Sequence, residues 1–108
     1  MTFTDPTIVE FSGDLDVSRY AQLRDRLNEA WDGTSPVIVD LLQVHFLDST
    51  CLRELLLFRR RVQRGSAAFA TIVTKPNVLR LLEITGLNKS LNVATDLESV
   101  LRAFRRSE

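Results

Sequence analysis

The 108-residue sequence has one cysteine, one histidine, four glycines and three prolines, and its fourteen basic residues are balanced by fourteen acidic ones. A single Cys excludes an internal disulfide and a cysteine-rich zinc site, which suits a reducing compartment. A single His leaves little for metal or triad chemistry. Zero net charge removes the overall field that would draw the chain onto a phosphate backbone or an anionic bilayer, so direct nucleic-acid binding is not expected. No apolar run reaches the roughly 20 residues that a bilayer span needs, and the opening MTFTDPTIVE lacks the basic start and apolar core of a signal peptide. A cytoplasmic protein without membrane insertion is expected.

With 44% hydrophobic and 26% charged residues, the composition is that of one globular domain, with a core at about residues 5–105 and no room for a second. TIVEF at 7–11 reads as a strand closed by a turn at Ser12-Gly13-Asp14. Ser18 can cap a helix in which Tyr20, Leu23, Leu27, Ala30 and Trp31 recur at helical spacing. Residues 37–42 are apolar except for Asp40, the pattern of a central strand buried on both faces. A second helix should start at Ser49 or Thr50, run to about Gln63 and stop at Gly65. Phe69–Val73 follows as a strand, Pro76 opens a short helix ended by Gly86, and Leu91–Val93 makes a weak strand. Thr95 or Asp96 caps a last helix through Phe104, after which the tail frays. This alternation predicts an α/β fold of about four strands, in a mostly parallel or mixed sheet, packed with about four helices.

The chemistry concentrates at Asp48-Ser49-Thr50, where the apolar strand meets the second helix. In open α/β sheets that edge is where sites usually lie. Asp, Ser and Thr are also preferred helix caps, so capping and a chemical role both fit the triplet. Catalysis fits less well: His45 is expected on the same loop, and no Gly-x-Ser-x-Gly elbow, convergent acid-base pair or phosphate-cradling glycine loop is present.

The run DLLQVHFLDSTCL at 40–52 resembles the signature of STAS domains, specifically of bacterial anti-sigma factor antagonists. SGDLD at 12–16 looks like that family's first turn, and LLEITGL at 81–87 resembles its third helix and following loop, so the resemblance covers most of the chain. It implies that Ser49 is the serine phosphorylated by a partner serine/threonine kinase that is itself the anti-sigma factor. The unphosphorylated antagonist would bind that kinase and free the sigma factor; a metal-dependent serine phosphatase would reset the switch. The resemblance also implies that Asp14 and Asp16 belong to the recognition surface with Asp48, Ser49 and Thr50. No catalytic residue, cofactor or metal is expected. The alternative use of such domains is as a structural subunit of a lipid-transport ATPase complex or a stress-sensing assembly, with Ser49 a fixed contact or cap.

Two departures stand out. Cys51 occupies a position where the family usually has Gly, and near a helix start its thiol is open to a redox role as well as to burial. Many members also have a strand before the one at 7–11; without it, a homodimer or a short edge strand would have to manage the sheet edge. At about 100° per residue, Cys51, Leu52, Leu55, Leu56, Phe58 and Val62 share the face expected to pack on the sheet. Arg53, Glu54, Leu57, Arg61 and Arg64 are expected to point away, with Arg53 and Leu57 contacting the kinase and the arginines at 59, 60, 61 and 64 solvated.

Overall fold

The computed structural model describes residues 5–107, so a strand before Thr7 lies outside the described residues. Four strands form one sheet in the order β1-β2-β3-β4: β1 (Thr7–Leu15), β2 (Val37–Leu47), β3 (Phe69–Ile72) and β4 (Val93–Ala94). Every neighbouring pair is parallel. Helices carry each of the three crossovers: α1 (Tyr20–Ala30), α2 (Ser49–Arg64), then α3 (Pro76–Ile84) with the one-turn α4 (Leu87–Ser90); α5 (Leu97–Ser107) follows the last strand. The short α4 is the helix that residue periodicity missed, because four residues carry no pattern.

The core is unequal on the two faces. Leu23, Leu27, Leu55, Phe58, Val62, Val78 and Leu82 from α1, α2 and α3 pack over Val9, Phe11, Val37, Val39 and Phe69. On the other face α5 alone seals Ile38, Ala70 and Ile72, with Val100 and Phe104. Its first turn is capped by Asp96, which accepts the Ser99 amide at 2.7 Å. Nothing covers the outer side of β1 among the described residues, where Ile8, Glu10, Ser12 and Asp14 are all exposed.

Both long strands run further than expected, and β2 does so through two bulges. Glu10 pairs with Asp40 and Ser12 with Gln43, then Gly13 with Val44 and Asp14 with Phe46, so β2 carries one extra residue at each shift. Such bulges leave backbone groups without ladder partners. The Asp40 carboxylate accepts the Leu42 amide at 2.9 Å, and the side-chain amide of Asn77 donates to the carbonyl of His45. That accounts for the one acid in β2. His45 therefore sits in β2 rather than in a loop, and the SGDL segment is strand, with Gly13 at φ +78° opposite the second bulge.

The end of α2 also differs in mechanism from the expectation. Gly65 has φ −80°, which any residue can adopt; Ser66 takes the left-handed conformation instead, at φ +61°. The Ala67 amide then closes onto the Val62 carbonyl at 3.2 Å, the wide turn that ends many helices. Gly65 is required for space. A Cβ there would stand 2.8 Å from the Trp31 ring and 3.1 Å from the Gly33 carbonyl oxygen.

Candidate functional site at the start of the second helix

The site forms where β1 and β2 end side by side. Leu15 and Leu47 are in register, and the Asp48 amide donates to the Leu15 carbonyl at 3.1 Å. Asp16 caps a 3-10 turn at Val17–Arg19, accepting the amide of Ser18 at 2.9 Å, and α1 follows; Ser18 is not the cap. The Ser18 hydroxyl and amide hold the Asp16 carboxyl below its usual range. Arg19 reaches back to the carbonyls of Ser12 and Asp14 and fixes the end of β1.

Asp48 is the N-cap of α2, with its carboxylate accepting the Cys51 amide at 2.8 Å. The expected start at Ser49 or Thr50 is thus met with the capping duty moved one residue earlier. Ser49 occupies the first helical position, exposed, and its hydroxyl has no hydrogen-bond partner among the described residues. Thr50 is exposed beside it. We expect Asp48→Ala to cost about 1 kcal/mol, the usual worth of a cap, and to lower the melting temperature by several degrees, as calorimetry would read.

Cys51 is fully buried, and its thiol donates to the Asp16 carbonyl at 3.4 Å, lashing α2 to the turn after β1. Burial, reinforced by the Asp48 carboxylate, pushes the thiol up to about 11. This is opposite to the lowered value that a redox sensor needs. At pH 8 the thiolate fraction falls to about one in a thousand, against roughly a quarter for a free thiol near 8.5. Alkylation of the native protein by iodoacetamide should therefore run at least about a hundredfold slower than after unfolding in urea.

The residues expected at this surface distribute unevenly. Thr50, Arg53 and Leu57 line a groove of about 200 Å³ together with Tyr20 and Glu54, and Leu57 is 40% exposed. Asp16 and Asp48 sit at the same rim, engaged as caps. Asp14 is exposed but alternates onto the uncovered face of β1, away from α2. Glu54 does not point outward to solvent: it is 5% exposed, covered from α1 by Tyr20, whose hydroxyl donates to it at 2.9 Å. The helical wheel treats α2 as facing one sheet, whereas a second helix lies against its side. Arg61 is also less free than expected; its guanidinium lies 5.4 Å from the Phe58 ring centroid, and two of its nitrogens are buried without partners, as is Nε of Arg59. Arg60 and Arg64 are exposed as expected.

Sequence reasoning missed Phe46, which is 48% exposed, and Val17, 67% exposed, at the same strand ends. Phe46 follows the second register shift, and the sequence carried no signal for it; Asp40, an acid in a buried strand, pointed only to the first. Among the described residues no group of three or more His, Cys, Asp or Glu could hold a metal ion, and no helix is long and apolar enough to cross a membrane.

An exposed serine at the start of a helix, on the carboxyl edge of a small parallel sheet, coincides with a match of the STAS domain pattern to residues 2–100. The chain belongs to the STAS domain family. An anti-sigma factor antagonist from Mycobacterium paratuberculosis superposes with a TM-score of 0.84 at 25% identity, covering 93% of this chain and 86% of that one. The unphosphorylated anti-sigma factor antagonist SpoIIAA gives 0.74 at 20% identity over 95% and 91%. A sulfate transporter family protein from Wolinella succinogenes gives 0.72 at 16% over 93% and 84%. The last two likenesses are of fold. The same fold thus occurs in proteins described as anti-sigma factor antagonists and in one of a sulfate transporter family.

Proposed function

We propose that this STAS protein is an anti-sigma factor antagonist, a cytoplasmic binding module switched by phosphorylation of Ser49 rather than an enzyme. In its unphosphorylated form it binds an anti-sigma factor serine/threonine kinase and so frees the sigma factor; a serine phosphatase restores that form. The observation that carries this reading is the division of labour at the turn: Asp48 caps the helix, which leaves the Ser49 hydroxyl exposed and without a structural task. A serine needed as a cap would be a poor switch, because modifying it would cost the helix.

Phosphorylation adds about 1.5 to 2 negative charges where free helix amides and the dipole tolerate an anion, so the fold is expected to survive. The recognition surface would change instead. One unfavourable charge contact at ~4 Å costs about 4 kcal/mol at an effective dielectric near 20, and each ~1.4 kcal/mol is tenfold in affinity. Neighbouring Asp48 adds to that local field. Arg53 and Leu57 on the adjoining turns, with Asp16 and Thr50 near them, complete the proposed contact surface; Asp14, on the uncovered face of β1, would join it only through a partner that also wraps that strand.

The test is a pull-down from native lysate with wild type, Ser49→Ala and Ser49→Asp as bait. The switch predicts a kinase-like protein retained by wild type and Ser49→Ala and lost by Ser49→Asp. Capture of the same transport or assembly subunits by all three would make the protein a structural adaptor and end this reading.

A further inference from the structure

Beside Ser49, the α2 groove contains an acid that the chain itself does not neutralise. Glu54 is 5% exposed and lines the groove with Tyr20, Thr50, Arg53 and Leu57. One oxygen accepts the Tyr20 hydroxyl at 2.9 Å. A carboxylate has about four lone-pair sites, so a single neutral donor leaves most of its capacity unused. Among the described residues no cation lies within ion-pairing distance of it: Arg53 lines the same groove without pairing, and Arg24 stacks at 5.7 Å over the Tyr20 ring. Buried acids are ordinarily paired, since the interior solvates an ion poorly.

We propose that this groove receives one basic side chain of the protein that binds the Ser49 surface, its head against Glu54 and its aliphatic stem along Leu57. The inference rests on the reading of this rim as a partner-binding surface. Three features select an arginine or lysine of a partner protein. Glu54 is almost wholly covered, so a long stem suits the approach to it; the exposed Leu57 of the same lining suits that stem; and the lining includes Thr50, next to the exposed Ser49.

The groove can be probed without the partner by titrating N-acetyl-arginine methylamide into the ¹⁵N-labelled protein and following amide shifts. N-acetyl-norleucine methylamide serves as the uncharged control. Wild type should show saturable shifts at Thr50, Arg53 and Leu57 with the arginine probe and none with norleucine. Glu54→Gln should weaken the arginine response about fivefold or more, the scale of a partly screened charge pair. Tyr20→Phe should retain it, because the phenol is not the acceptor. Equal responses to both probes in wild type would overturn the proposal even if a variant failed to fold. So would equal loss in Glu54→Gln and Tyr20→Phe, which would mark the pair as a structural hydrogen bond. No kinase enters this titration, and the pull-down does not interrogate Glu54, so the two readings fail separately.

Discussion

The Ser49→Asp protein is expected to bind its captured partner at least about a hundredfold more weakly than wild type while unfolding cooperatively within a few degrees of it. The two halves have different causes. Ser49 is exposed at the first position of α2, where an acid meets unsatisfied amides and the favourable end of the helix dipole, so stability should change by only a few tenths of a kcal/mol. Affinity responds to what the partner places opposite the hydroxyl, and an unmatched charge in a desolvated contact costs about 2 to 4 kcal/mol. Titration calorimetry with the purified partner, paired with a thermal scan of the variant alone, separates them. Loss of the cooperative transition would mean that the switch acts by unfolding the helix, and unchanged affinity would mean that Ser49 lies outside the interface.

Gly65→Ala is expected to be the most damaging single-methyl change for stability, at about 1–3 kcal/mol and roughly 5–15 °C in melting temperature. The added Cβ would stand 2.8 Å from the Trp31 ring and 3.1 Å from the Gly33 carbonyl oxygen. The ring has room to shift because Trp31 is only half-buried, but the carbonyl does not. Its turn is held by the Asp32 carboxylate, which accepts the amides of Thr34 at 2.8 Å and Ser35 at 2.7 Å and stays well below the usual carboxylate range because of those bonds and the Ser35 hydroxyl. The backbone angles of Gly65 are ordinary, so the loss would report packing, net of the small gain from a less flexible unfolded chain. A melting temperature within 2 °C of wild type would show that Trp31 swings aside at little cost.

The elements were legible wherever periodicity was long. The apolar spacing of α1 and α2 and the buried run at the start of β2 read correctly as a layered α/β fold, and of the two caps expected for the last helix, Thr95 or Asp96, it is Asp96 that accepts the Ser99 amide. The errors cluster at the site. Asp48, Ser49 and Thr50 are all good cap residues, so composition could not choose among them; the extended backbone of Asp48 and its bond to the Cys51 amide do. Glu54 was misplaced because a wheel drawn for one helix has no knowledge of Tyr20 arriving from another. Cys51 could be read as reactive or inert, and its burial against the Asp16 carbonyl makes it inert.

The linear sequence by itself determined the fold class, the strand-to-helix junction that carries the site, and the family signature around Ser49. Those properties depend on residues close together in the chain, where hydrophobic period and local hydrogen bonding act. Which acid is buried and why Gly65 is a glycine depended on contacts between residues more than thirty apart, Tyr20 with Glu54 and Trp31 with Gly65, and which hydroxyl is free depended on the backbone geometry that makes Asp48 the cap. Burial and pairing belong to neighbours in space, and only the folded chain supplies them.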